Sequence, residues 1–408
     1  MPGIIAFPTV VEEAVDEFGW LFANTPERFH LAEYLTGLMV AERKNVSGIN
    51  SEFAVTTDQS CLNRWITQVA WDEELLNEHR LAWLQRDPAT RYSAQGVIAV
   101  DNTLIDHAGQ MIEDVGWFWD HADKRHLIAH DYLVANYVCT SGKHYPLEFR
   151  RFRKREDVDK VEDSAPFKSH TELFKELVDW TVAQEIPGDF AFDSYFTNAE
   201  SLNHVHAHQR GYVGDLKSNR KVWFKGREMK ASELAALIEP EHRKRVCVGD
   251  RKQWYFTKTV HIPDVNHPVR LVILWDRKNG KKPKKIMVTN RVSWEISRIL
   301  NVYRKRWTGT ETFHRDGKQH LGMGDCQRRK GEGQTRHMYL VMLAHSLLMA
   351  QMRQDRACGW AHTVLTTIGE ACRAVSRETL SKTISWVVEQ ATVVGWNQER
   401  IVAHLALA

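Results

Sequence analysis

Two short apolar runs that each end in an aspartate constrain this chain most. Gly96–Thr103 reads GVIAVDNT, and Gly188–Asp193 reads GDFAFD. Runs of this length, rich in Val, Ile and Phe and opened by Gly, predict strands buried on both faces. Between them lie further strands, at Gly116–Trp119, Asp131–Cys139 and Tyr145–Phe149, and one amphipathic helix, Ser169–Glu185, with Leu173, Phe174, Leu177 and Val178 on one side. Strands followed by helix and strand predict an α/β core with a mixed sheet. Glu156–Asp163 reads as a charged loop.

Either side of this core the pattern changes. Before it, Val11–Phe22, Arg28–Arg43 and Cys61–Leu84 carry apolar residues at helical spacing, with Thr57–Cys61 offering caps. Trp65 and Trp71 read as a buried aromatic face rather than a DNA contact. After it come a helix at Glu200–His208, a strand at Tyr212–Leu216 and a strand-rich block. The block's strands are Val246–Val248, Trp254–Val260, Val269–Trp275 and Ile286–Thr289, with Asn279-Gly280 as the turn before the last. A helix is expected over Ser293–Trp307 with Ser293 as its cap, interrupted at Thr308-Gly309 and resumed from Glu311 to Leu321. Arg336–Met352, His362–Arg373 and Glu378–Thr392 read as further helices.

Composition excludes several classes. No run approaches the roughly 18 apolar residues of a membrane span. The first residues, MPGIIAFPTVVEEAVDEF, lack a basic region before an apolar stretch, so no signal peptide is expected. The six cysteines form no CxxC pair, which fits a reducing, cytoplasmic setting. A net charge of +3 does not announce nucleic-acid binding. Local basic runs, RRFRKR at Arg150–Arg155, KKPKK at Lys281–Lys285 and YRKR at Tyr303–Arg306, can meet phosphates or serve only as solvated surface.

Asp101 and Asp193 at strand ends and Glu311 opening a helix suit phosphodiester chemistry. Two metal ions roughly 3.5–4 Å apart can serve both ends of an in-line displacement, and magnesium takes a few carboxylate oxygens beside water and phosphate. A turn-forming role is the plain alternative for each aspartate. Arg315 and Lys318 follow Glu311 by one and two helical turns, a face able to bind metal and phosphates or simply a salt-bridged surface. Asp120, Asp131 and Asp316 are competing carboxylates. His204 and His208 share a helical face with zinc-like spacing, beside His206, but no third ligand is evident in the sequence. His314 and His320 flank the Glu311 segment.

The segment Tyr303–Gln327, YRKRWTGTETFHRDGKQHLGMGDCQ, resembles the signature of DDE-type insertion-sequence transposases, specifically the insertion-sequence-four superfamily and its 701-type branch. Tyr303, Arg306, Glu311 and Lys318 match its tyrosine, arginine, glutamate and lysine pattern. Four residues rather than three separate Arg306 from Glu311, and a kink at Thr308-Gly309 is expected to hold the extra one. VIAVDNT and FAFDSYFTN resemble the family's two aspartate strands. The resemblance implies a ribonuclease-H-like core in which Asp101, Asp193 and Glu311 hold two magnesium or manganese ions. It further implies that Tyr303, Arg306 and Lys318 orient phosphates, and that Lys217 and Arg220 either contact the DNA backbone or are exposed strand charges. In some relatives an aromatic residue stacks on a flipped base; Trp254, Trp275 and Trp294 are candidates here, with core packing the alternative.

The implied organisation is a helical DNA-binding region over 1–92, the core over 93–217 and 291–330, a β-rich insertion over 218–290 and a helical region over 331–408. The implied partners are double-stranded DNA, as terminal inverted repeats and target, and a second copy of the chain in a nucleoid-associated prokaryotic complex. A ribonuclease-H-like nuclease without strand transfer, and a catalytically silent DNA-binding protein of transposase descent, are the alternative readings. A carboxylate-pair glycosidase fits poorly with the basic residues beside Glu311.

Overall fold

The computed structural model describes residues 3–109, 111–121, 123–158, 166–249, 251–352 and 357–406. The chain opens with helices α1 (Thr9–Phe18), α2 (Thr25–Val40), α3 (Val46–Asn50), α4 (Gln59–Thr67) and α5 (Glu73–Leu84). Strands β1 (Val97–Asp106), β2 (Gly116–Asp120), β3 (Arg125–Val138) and β4 (His144–Phe152) follow. Next come α6 (Arg155–Val158), α7 (His170–Ala183), β5 (Asp189–Phe192), α8 (Ala199–Ala207) and β6 (Tyr212–Asp215). The strand-rich block holds β7 (Lys221–Phe224), β8 (Arg227–Lys230), α9 (Ala231–Leu237), β9 (Lys244–Val248), β10 (Arg251–Val260), β11 (Val269–Trp275) and β12 (Lys285–Thr289). The chain closes with α10 (Ile296–His320), α11 (Gly331–Gln351), α12 (Ile368–Glu389) and α13 (Gln398–Ala406).

Two compact units emerge, one of Met1–Thr90, Leu104–His130 and Phe313–Ala408, the other of Arg91–Thr103 and Asp131–Thr312. The chain passes between them inside β1, β3 and α10.

The first unit is mainly helical. Its centre is α11, buried all round and packed by α2, α4, α5 and α12. Such a helix has no solvent face, so its polar groups need partners. Arg336 meets Glu73 at 3.3 Å and the Trp71 carbonyl at 3.2 Å. His337 bonds the Tyr34 hydroxyl and the Gly322 carbonyl, both at 2.8 Å. Trp65 and Trp71 stack at 5.5 Å in this interior. The helix expected over Cys61–Leu84 is two helices. Asp72 caps α5 by accepting from the Leu75 N–H, so Trp71 sits in the link between them. The helices expected over His362–Arg373 and Glu378–Thr392 are one, α12, started by a Thr367/Glu370 capping box.

The second unit carries a mixed sheet in the order β3–β1–β5–β6–β12–β11–β10–β9, with β4 on β3. β1, β5 and β6 run parallel, with Val97–Val100 in register with Asp189–Phe192. This α/β arrangement is ribonuclease-H-like. Gly188, just before β5, has φ +121° and backs onto the Gly96 carbonyl, where a Cβ would lie 2.6 Å away. Only glycine lets the two strands start side by side there. The strands β9–β12 continue this same sheet, since β12 pairs with β6.

Alternation along the strands assigns the two faces. Val97, Ala191, Val213, Val272 and Met287 form one core with Ile296, Ile299, Leu300 and Val302 of α10. Phe190 and Phe192 point the other way, where Phe174 of α7 meets Phe192 at 5.2 Å. The sheet is thus sandwiched between α10 and α7.

Three further expectations are corrected. α10 is unbroken from Ile296 to His320, starting three residues beyond Ser293, so Thr308-Gly309 does not interrupt it. Gly309 is instead a contact residue: a Cβ there would lie 2.9 Å from Ala99 Cβ and 2.8 Å from Val138 Cγ2. β1 continues through Asp101 to Asp106, so Asp101 is inside a strand, not at its end. Of the charged loop, Arg155–Val158 is a helical turn and residues 159–163 lie outside the described residues.

Candidate active site

The site grows from the strand alternation. Odd-numbered residues of β1 and β5 face α10, so Val97 and Ala99 lead to Asp101, and Ala191 leads to Asp193. Small Ala99 and Gly309 let the helix axis approach closely, which brings Arg306 of α10 down onto β1. Its guanidinium donates to the Asp101 carboxylate, and both residues are at least nine-tenths buried. Asp193 follows the last residue of β5, where its carboxylate accepts the Tyr195 backbone N–H at 2.8 Å.

Electrostatics bind the group together. Burial pushes the Asp101 carboxyl up to about 7; Arg306 opposes that, and the neighbouring Asp193 and Glu311 charges add to it. Burial works against the Arg306 charge, but Asp101, Tyr303, Asp193 and Glu311 outweigh it and hold the guanidinium above its usual range. Arg306 Nε is buried without a hydrogen-bond partner. Three carboxylates around one cation leave negative charge unbalanced, and a hard divalent ion fits such an oxygen donor set. The three do not close as tightly as a trio of ligand atoms elsewhere, Asp179, His204 and His208, which lie within 4.8 Å of one another.

Tyr303 stands beside Arg306, its ring 5.8 Å from that guanidinium. Lys285, from the KKPKK run, donates to the Tyr303 hydroxyl at 2.8 Å and pairs with Asp215 at 3.0 Å. Lys217 lies over the Tyr195 ring at 5.9 Å. A groove of about 550 Å³ is lined by Ser194, Lys217, Lys284 and Lys285 among others. Lys217 and Arg220 sit in the turn between β6 and β7 rather than on a strand. Arg315 and Lys318 lie further along α10, in the first unit; Arg315 pairs with its neighbour Asp316 at 3.0 Å, and Lys318 is exposed. His314 is buried there as well. Of the RRFRKR run, Arg150 pairs with Glu148 and Glu176, as a surface role would have it.

The sequence reading passed over a hydrogen-bonded row beside the carboxylates. The Asn102 amide donates to Asp131 Oδ1 at 3.1 Å, His170 Nε2 meets Asp131 Oδ2 at 2.7 Å, and the Tyr195 hydroxyl meets His170 Nδ1 at 3.2 Å. Asp131 is 3 % exposed and Tyr195 50 %, so the row runs from core to solvent. In the sequence Asp131 stands out only as a competing carboxylate, and Asn102 and Tyr195 only as neighbours of Asp101 and Asp193. Trp275 and Trp294 are buried and Trp254 half-buried; among the described residues of the strand-rich block, Trp223 is the exposed tryptophan.

A ribonuclease-H-like sheet with Asp101 and Asp193 just past the paired stretch of parallel β1 and β5 is an arrangement suited to a nuclease- or transposase-type protein. A family model described as DDE superfamily endonuclease matches residues 18–254, more than half the chain, and the protein belongs to that family. The match contains Asp101 and Asp193 and ends before Glu311. Among curated proteins none matches. Family membership implies DNA as the substrate and divalent metal ions as the usual cofactor. No helix among the described residues is long and apolar enough to cross a membrane.

Proposed function

We propose that this protein is a DNA transposase of the insertion-sequence-four type, cutting at the inverted-repeat ends of its element and joining the freed 3′ end to target DNA. The observation that carries the reading is the buried Arg306–Asp101 ion pair, with the Asp193 and Glu311 charges acting on both partners. In this reading Asp101, Asp193 and Glu311 hold two magnesium or manganese ions. Bound there, the ions would activate a water or 3′-hydroxyl and stabilise the leaving oxygen.

The chain's own residues do the rest. Arg306 balances the buried carboxylates before metal and substrate arrive. Tyr303, held by Lys285, orients the adjoining phosphate. Lys217 and Arg220 contact the backbone at the groove, and Arg315 and Lys318 extend the phosphate-binding helix. Two copies of the chain pair the two ends, with residues 1–92 as the helical DNA-binding region, in a nucleoid-associated prokaryotic complex.

The test is incubation of purified protein with magnesium or manganese and a duplex carrying its own element's end, wild type against Glu311→Gln. Cutting at the boundary in the wild type and none in the variant is expected. Specific binding without cutting under either metal overturns the catalytic reading. Cutting without joining of pre-cut ends reduces it to a nuclease.

A further inference from the structure

His204 near the end of α8 and His208, which caps that end, stand one turn apart with ring centroids 4.9 Å apart. The sequence offered no third ligand, but the fold supplies one. Asp179 of α7 brings Oδ1 to 2.7 Å from Nε2 of His204 and to 2.7 Å from Nε2 of His208. All three ligand atoms lie within 4.8 Å of one another. His206 is not part of this group, because its ring stacks on His267 at 3.8 Å.

Two imidazole nitrogens and one carboxylate oxygen are a donor set for a borderline-soft ion such as zinc, whereas magnesium prefers oxygen alone. Ligands about 2.0–2.1 Å from a tetrahedral ion stand roughly 3.3 Å apart, so the 2.7 Å contacts need only open slightly. The side chains have room to do so: those of His204, His208 and Asp179 are 24 %, 31 % and 52 % exposed. The same exposure leaves a fourth position to water.

We propose that Asp179, His204 and His208 bind one zinc-class divalent ion that pins α7 to α8, separately from the carboxylate centre. Both helices adjoin that centre: α7 begins with His170 of the hydrogen-bonded row, and α8 follows the loop that starts at Asp193. Bridging α7 and the end of α8, the ion would hold together the helices on either side of the β5–Asp193 segment, with water completing its coordination.

The test uses the full chain, stripped with a chelator and then titrated with zinc against a chromophoric competitor in excess magnesium. Wild type is expected to take up one tight equivalent more than a His204→Gln/His208→Gln variant and than Asp179→Asn. Glu311→Gln is expected to bind zinc as the wild type does, which separates this site from the catalytic reading. Zinc is also expected to raise the melting midpoint of the wild type and not of the variants. Equal stoichiometry and affinity in wild type and Asp179→Asn overturn the proposal. Asp179→Asn keeps the volume and an acceptor for the rings, so it decides the matter even if the double histidine variant does not fold.

Discussion

Arg306 donates to Asp101 from a helix that packs directly over the strand carrying it, and both groups are largely withdrawn from water. Removing one partner of such a buried pair costs about 3–5 kcal/mol, because the other charge is left uncompensated. Arg306→Ala is therefore expected to lower stability by an amount in that range and to reduce end cleavage at least 100-fold. Arg306→Lys is expected to recover part of the stability but little cleavage, since an ammonium lacks the planar fork. Chemical denaturation and the cleavage assay together check this; full cleavage by Arg306→Ala would remove the residue from the site.

Asp101 gives a signed pH dependence. Its carboxyl is raised from 3.8 to about 7, chiefly by burial. A raised folded-state value means that its contribution to stability is fully present below the unfolded value and is lost as pH climbs through about 7. Stability measured from pH 5 to pH 8 should fall more steeply in wild type than in Asp101→Asn, which has no proton to lose there. Ligand carboxylates must be ionised, so manganese affinity should rise with pH up to about 7 and then level off. A wild-type slope equal to that of Asp101→Asn would count against a buried, proton-holding Asp101.

Gly309 marks the closest approach of α10 to the sheet. An alanine there meets Ala99 Cβ and Val138 Cγ2 inside 3 Å. Overpacking costs about 1–3 kcal/mol, offset by about 1 kcal/mol of better helix propensity. Gly309→Ala is expected to lose up to about 2 kcal/mol and, by lifting Glu311 and Arg306 away from β1, far more cleavage than the stability loss explains. Adding Ala99→Gly removes one of the two close contacts and should restore part of both losses, as read by thermal melts and the cleavage assay; no rescue at all would show that the Ala99 contact is not the cause.

Asp131 is the acidic neighbour most easily mistaken for a metal ligand. Both of its oxygens are already engaged, by Asn102 and His170. Asp131→Asn should weaken manganese affinity less than Asp193→Asn does, while disturbing the row that ends at Tyr195. Calorimetric titration of the two variants ranks them. The reverse order would move Asp131 into the ligand set.

Much of the core was legible in the chain's own letters. VIAVD and FAFD dictate buried strands, and the Ser169–Glu185 pattern dictates the helix behind them, because period-2 and period-3.6 burial are local properties of the backbone. The same alternation puts Asp101 and Asp193 on one face of the sheet. The family resemblance pointed to Arg306 and Glu311, and β9–β12 were evident from their apolar runs, whereas the short, largely exposed β7 and β8 were not.

Tertiary contact decided the rest. Thr308-Gly309 reads as a helix breaker in isolation, yet the glycine is there because β1 leaves no room for a Cβ. That close approach seats α10 on β1, with Arg306 against Asp101. The row from Asn102 through Asp131 and His170 to Tyr195 joins residues up to 93 positions apart, and Asp179 meets His204 and His208 from a different helix. Periodicity reports which face a residue takes, because it is set by the backbone two to four residues away. Which distant side chain it meets on that face depends on the packing of whole elements, and no local pattern encodes that.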